Sequence, residues 1–435
     1  MKRSIYALLL FFPLILLCPA GCAEPDSPFP VAETVQSAAP PTLPQLTAAP
    51  PEPTRAPTEP AAETVPAEPP APVPTTCEPV PSSTEPEADP LKEALAEMTL
   101  EEKAAQLLVV MPEALTGRDS YLTKPDAVFG AAFDRLPVGG VLLLGGNLKN
   151  PAQTKALLAE LQSMSRERTG LPLFLCVDEE GGSVARISGN AAFGVPKIPA
   201  MSTVHDTETA RELGRTMGAY LRELGFNVDF APCADVLTNP ANRVVRDRSF
   251  GSDPGRVTEL AGALAEGLLE EGVLPCWKHF PGHGGTAEDS HKGFAVLHLD
   301  RSAPEEASEL RPFLAAAAEG APMIMTGHIT VPELDPERPA SLSPALLSLL
   351  RGPERRYDGL LITDALGMGA VTESFGPGEA AVLAVLAGND LLLAPDDPET
   401  AWRAIVDAVR DGTIPEERID ESVYRILQAK SRLQK

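Results

Sequence analysis

Gly359-Leu-Leu-Ile-Thr-Asp364 is a short apolar run with strand character that ends in a carboxylate. Seven further runs of this kind occur along the chain, over residues 106–111, 139–144, 172–178, 227–232, 274–280, 322–328 and 390–394. Between most of them lie stretches with helical spacing, at 154–166, 208–224, 256–271, 305–319 and 378–386. Thr99-Leu-Glu-Glu102 is a capping box and predicts a helix start ahead of the first run. Alternating strands and helices imply a parallel sheet. Eight repeats over about 340 residues predict a closed (β/α)8 TIM-type barrel of the α/β class, built as a single domain. An open doubly wound sheet is the runner-up. No glycine-rich dinucleotide turn follows the first run to favour it: Gly139-Gly140 precedes a strand, and Gly181-Gly182 lacks the rest of that fingerprint.

The chain has 435 residues and 46 prolines, unevenly placed. Residues 24–90 hold 20 of the prolines, with 11 acidic groups against one basic group, Arg55. Such a segment cannot bury a core and is predicted to be a disordered, extended tether rich in Pro, Thr, Ala and Glu. It carries −10 of the formal net charge of −25; the first 23 residues carry +2, which leaves −17 on the remainder. A surface that acidic repels phosphate backbones and excludes nucleic acid as a partner.

Lys2 and Arg3 precede an apolar run over residues 5–18, the right length for a signal-peptide core and short for a membrane span. Ala20-Gly21-Cys22 follows and resembles a bacterial lipoprotein signal, in which Cys22 becomes the lipidated N-terminus; Pro19 stands where an aliphatic residue is usual. Ordinary secretion, with cleavage near Ala20 or Ala23, is the alternative. The expected organisation is a signal segment at 1–22, a linker at 23–91 and the barrel at 92–435, secreted across the cytoplasmic membrane and lipid-anchored at the bacterial envelope. Cys176, Cys233 and Cys276 each sit inside or at the end of an apolar run, where a free cysteine behaves as a small buried hydrophobe. They lack the close CxxC pairing of zinc sites, so no metal is expected.

Active sites of such barrels form at the C-terminal ends of the strands. The third run ends in Asp178, the fourth leads to Asp235, the fifth carries Lys278 and His279, the sixth ends in His328 and the seventh in Asp364. Any one of these could be a satisfied core polar group, but several strands ending this way point to a reaction centre. Asp364 reads either as a rigidly held nucleophile or as the N-cap of the next helix, and its position alone leaves both open. Lys278 and His279 are adjacent, so an extended strand would point them oppositely; both face a ligand only if the strand is distorted or ends there. Pro281, Gly282, Gly284 and Gly285 predict a non-helical, mobile loop after them. In Asp289-Ser-His291 a carboxylate can hold one ring nitrogen and leave the other for proton transfer near neutral pH; a chance pair on a surface loop is the competing reading.

Met98-Thr-Leu-Glu-Glu-Lys103, Val177-Asp-Glu-Glu-Gly-Gly182, Asp247-Arg-Ser-Phe-Gly251, the stretch 278–291 and Ile362-Thr-Asp364, in this order and spacing, resemble glycoside hydrolase family 3. Within it they are most similar to the β-N-acetylglucosaminidase branch, the NagZ-like β-hexosaminidases, over residues 93–435. The resemblance implies that Asp364 is the nucleophile, His291 the general acid/base and Asp289 the carboxylate that orients it. It implies that Asp178, Arg186, Arg248, Lys278 and His279 bind the terminal sugar, with Asp235 and His328 in support behind them. Two positions depart from the family pattern. Ser183 stands where Arg is common after Glu-Glu-Gly-Gly, and Arg246 where Gly usually precedes Asp-Arg-Ser-Phe; either could alter what is accepted beyond the terminal sugar.

The implied activity is retaining, exo-acting removal of terminal non-reducing N-acetylhexosamine from peptidoglycan-derived fragments, by a monomer that needs no cofactor. Most retaining glycosidases pair two carboxyl groups about 5 Å apart; here a histidine replaces the second. A neutral histidine base does not repel an anionic acceptor such as phosphate, so phosphorolysis is a conceivable second outcome. Two rivals remain: a β-glucosidase or β-xylosidase of the same family, whose acid/base generally comes from an additional C-terminal domain, and a non-catalytic wall-binding lipoprotein, which would not need Asp364, Asp289 and His291.

Overall fold

The computed structural model describes residues 89–287, 294–300 and 302–433, so Cys22, Asp289 and His291 lie outside the described residues. Eight strands each fall within one of the predicted runs: β1 Leu108–Val110, β2 Gly140–Leu142, β3 Phe174–Val177, β4 Val228–Asp229, β5 Leu274–Phe280, β6 Met323–Thr326, β7 Leu360–Thr363 and β8 Leu392–Leu393. Each pairs in parallel with its neighbours in chain order. Leu392 of β8 lies beside Leu108 of β1, and a parallel bridge between Ile362 and Leu391 joins β7 to the approach to β8, so the sheet closes into the (β/α)8 barrel. Every residue of these eight strands is buried, as a parallel sheet enclosed by helices requires.

The helices start where local chemistry tells them to. Asn150, Asp253, Ser343 and Asp397 each accept a backbone N–H with the side chain and are each followed by proline, opening helices Pro151–Thr169, Pro254–Glu270, Pro344–Arg351 and Pro398–Arg410. The cap satisfies one orphan donor, and proline at the first position has no N–H to orphan. The Thr99 capping box forms as read: the Thr99 hydroxyl accepts from the Glu102 N–H, and the Glu102 carboxylate accepts from the Thr99 N–H at 3.0 Å. Two boundaries differ from expectation. The helix read at 305–319 spans Arg311–Ala318, because Pro312 fits only in a first turn; a separate 3-10 turn, Pro304–Glu306, precedes it. The folded unit also begins inside the stretch assigned to the linker. Asp89 caps helix Pro90–Glu97 and accepts the Tyr424 hydroxyl, at 2.9 Å, from the C-terminal helix Glu416–Arg432.

Two small additions rise from the C-terminal mouth of the barrel. A hairpin pairs Glu179–Gly181 with Val184–Ala185 directly after β3. A three-stranded sheet joins Ala295–Val296, Ile329–Val331 and Asp335–Pro339. Among the described residues no helix is long and apolar enough to cross a membrane.

Candidate active site

The mouth holds a cavity of about 400 Å³. Asp178, Arg186, Arg248, Lys278, His279 and Asp364 all line it, brought together from across the chain. Asp364 directly follows β7, where its N–H donates to the Thr326 carbonyl of β6 at 2.8 Å. Its Oδ1 accepts the Ala365 N–H at 2.8 Å. The next helix, Gly369–Thr372, is preceded by Met368, so Asp364 is not a helix cap. Burial pushes the Asp364 carboxyl up, but the charges of His279 and His328, the Ala365 N–H and Lys278 outweigh it and hold it below the usual carboxylate range. It is therefore an anion at neutral pH.

Opposite stands a wall of paired charges. Lys278 Nζ lies 2.7 Å from Asp178 Oδ1 and 2.5 Å from Glu180 Oε1. Arg248 grips Glu180 with both arms of its fork, Nε at 2.7 Å and Nη2 at 2.8 Å. Burial disfavours the Glu180 anion, yet Arg248 and Lys278 bring its pKa down to about 2. Lys278 is disfavoured by burial and raised overall by Asp178 and Glu180. The exposures assign the parts: the Asp178 side chain is 19% exposed and Glu180 1%, so Asp178 faces a ligand while Glu180 anchors the two cations behind it. Arg186, immediately after the hairpin, lines the cavity, and among the described residues its buried Nε has no hydrogen-bond partner. A sugar hydroxyl or acetamido oxygen is the kind of acceptor that donor can take.

Both Lys278 and His279 reach the cavity. The ladder between β5 and β6 shifts register between Trp277 and Phe280, and the Lys278–His279 peptide is cis. Behind His279, Asp235 is fully buried and accepts at 2.7 Å from Nδ1, fixing the ring with Nε2 toward Arg248 and the cavity. The other Asp235 oxygen takes the N–H groups of His279 and His283 at 3.2 and 2.6 Å. Cys233, Asp235 and His279 place their ligand atoms within 4.8 Å of one another. Those atoms are engaged in hydrogen bonds, with the Cys233 thiol and the His279 ring both turned to Asp235 Oδ2. His328 sits under the nucleophile, with Nε2 donating to the Ala365 carbonyl at 2.9 Å and Nδ1 against the Ser341 hydroxyl at 2.8 Å.

The described part of the loop after β5, residues 281–286, is mostly buried and contains a 3-10 turn, His283–Gly285, where a non-helical loop was expected; Asn242 Nδ2 donates to the carbonyls of both His283 and Thr286. Gly284 is required there, since a Cβ would lie 2.0 Å from the Val236 carbonyl. Two site residues went unnamed in the sequence reading. Glu180 could have been found from strand alternation, which places it on the same face as Asp178. His283, which also lines the cavity, carried no such signal. The departures at Ser183 and Arg246 are both exposed.

A closed parallel barrel that gathers a carboxylate and a wall of paired charges at its mouth has the make-up of a site for a hydroxyl-rich ligand. The chain belongs to glycoside hydrolase family 3: residues 99–429 match the family model described as the glycosyl hydrolase family 3 N terminal domain. It is 35% identical over 371 residues to the beta-hexosaminidase LpqI of Mycobacterium tuberculosis, covering 82% of this chain and 87% of that protein. It is 34% identical to beta-hexosaminidase A of Pseudoalteromonas piscicida, of which it spans 54%. Among solved structures, a family 3 beta-N-acetylglucosaminidase from Paenibacillus sp. superposes with a TM-score of 0.71 at 36% identity, over 78% of this chain and 63% of that one.

Proposed function

We propose that this protein is a retaining, exo-acting β-N-acetylglucosaminidase that removes terminal N-acetylhexosamine from peptidoglycan-derived glycans. The observation that carries the reading is the convergence of Asp178, Arg186, Arg248, Lys278 and His279 on one cavity with ionised Asp364. The relatives named as hexosaminidases support the choice of sugar. In this reading the charged wall binds the terminal sugar through its hydroxyl and acetamido groups. Asp364 attacks the anomeric carbon while protonated His291, oriented by Asp289, gives its proton to the departing glycosidic oxygen. A covalent glycosyl ester on Asp364 results. Neutral His291 then takes a proton from water, whose oxygen displaces Asp364 and releases the sugar with retained configuration. Phosphate in place of water would leave a sugar 1-phosphate.

The same proposal covers location: Cys22 carries the lipid, and the proline-rich tether holds a monomeric barrel away from the membrane. The test is hydrolysis of aryl β-N-acetylglucosaminide against aryl β-glucoside by the wild type, Asp364→Ala and His291→Ala. The N-acetylated substrate is expected to be preferred and Asp364→Ala to be inert. Preference for the glucoside, or full activity in Asp364→Ala, would remove the assignment.

A further inference from the structure

Asp178-Glu179-Glu180 alternates across the hairpin, so the flanking carboxylates face the cavity and Glu179 faces away from it. Glu179 is nevertheless fully buried. Its Oε2 accepts the Ile187 N–H at 2.8 Å and its Oε1 the Ser188 N–H at 2.8 Å. Oε1 also takes the Tyr220 hydroxyl, at 2.8 Å, from helix Thr207–Leu224. At the other end, the Glu179 N–H donates to Asp229 Oδ1 of β4 at 2.9 Å. One residue thus ties the backbone immediately after Asp178 to the barrel and the backbone immediately after Arg186 to itself. Both tied points adjoin sugar-facing side chains. The catalytic scheme above uses none of Glu179, Tyr220 and Asp229.

We propose that Glu179, braced by Tyr220 and Asp229, is a positioning residue that sets the spacing between Asp178 and Arg186 and thereby the affinity for the terminal N-acetylhexosamine. The chemistry favours this over a general structural role. Each Glu179 oxygen accepts one of two successive N–H groups, whereas a glutamine there would turn its NH2 donors toward one of them. Burial pushes the Asp229 carboxyl well above the usual carboxylate range, and its Oδ1 accepts the Glu179 N–H at 2.9 Å. Among the described residues, Asp229 Oδ2 of the same cluster is buried without a hydrogen-bond partner.

The inference rests on the N-acetylglucosaminidase reading, and the test separates the two. The full chain, Glu179→Gln, Tyr220→Phe and the control Leu221→Ala are compared for kcat and KM on aryl β-N-acetylglucosaminide, for inhibition by free N-acetylglucosamine and for Tm. Leu221 is fully buried on the same helix and makes none of the clamp's hydrogen bonds, so its truncation destabilises while leaving those bonds in place. Glu179→Gln is expected to raise KM and the inhibition constant together by about 10-fold or more, with kcat within about 3-fold. Tyr220→Phe, which leaves both N–H contacts in place, is expected to raise them by about 2- to 4-fold and keeps the proposal testable if Glu179→Gln fails to fold. KM unchanged in Tyr220→Phe and in any folded Glu179→Gln, or raised equally by Leu221→Ala at matching loss of Tm, overturns the proposal. A wild type that neither cleaves the substrate nor binds N-acetylglucosamine overturns the underlying reading instead.

Discussion

Asp364 and Lys430 show how burial produces opposite outcomes in one barrel. At Asp364 nearby positive charge overcomes desolvation and keeps the anion. The acid limb of kcat/KM is therefore expected below pH 4, and a pH–rate profile with its acid midpoint near 5 or above would contradict this nucleophile. Asp364→Asn should lower kcat by at least about 10³-fold with Tm unchanged or slightly lower, since the native state favours the anion. Lys430 has no such compensation. It is buried on the C-terminal helix, its Nζ 2.7 Å from Gln106 Oε1 and 5.1 Å from the centre of the Phe174 ring, and burial lowers its pKa to about 7. Between pH 7 and 10.5 the unfolded chain keeps a proton there that the native state has released, so stability rises with pH across that window and the full cost applies below it. Lys430→Met should raise Tm at pH 6, change it little at pH 10 and flatten the slope between; thermal melts across that range decide it. Loss of the Gln106 contact costs only about 1 kcal/mol against that gain.

At the scale of elements, the hairpin after β3 and the turn after β5 both border the cavity, through Glu180 and His283, and they differ in how openly the sequence displays them. Strand alternation alone puts Asp178 and Glu180 on one face. The Asn-Pro, Asp-Pro and Ser-Pro pairs at 150–151, 253–254, 343–344 and 397–398 announce helix starts more sharply than apolar periodicity does, because cap and proline each satisfy a specific backbone requirement. The burial of the turn at 281–286 is not visible in this way. Glycine and proline report that a turn is non-helical, whereas its order comes from Asn242 and Asp235, about 40 residues earlier. Glu180→Gln tests the hairpin: it leaves Lys278 and Arg248 short of a buried counter-charge and should destabilise the fold by about 3 kcal/mol, with KM raised at least 10-fold. Retention of wild-type KM would show that the wall does not hold the sugar.

For the whole molecule, the division between a proline-rich acidic segment and a barrel makes a cellular prediction. The full chain should fractionate with membranes and need detergent for release, while Cys22→Ala should appear in the soluble fraction with unchanged kcat. Identical fractionation of both forms would remove the lipid anchor and leave ordinary secretion.

The strand and helix alternation and the residue types at the strand ends were legible from the linear chain, because secondary structure and binary burial follow local periodicity. Of the six cavity residues named there, Asp178, Lys278, His279 and Asp364 came from their places at strand ends and Arg186 and Arg248 from the family resemblance. What depended on the closed barrel was which groups meet: Asp235 beneath His279 across 44 residues, Glu180 between Arg248 and Lys278, and Glu179 beneath the backbone that follows Arg186. Whether Asp364 caps a helix or lines the cavity was likewise decided only when β7 took its place beside β6 and His328 closed in behind. Pairings between distant residues, and the pKa shifts they impose, depend on distances of a few ångströms that no one-dimensional pattern encodes.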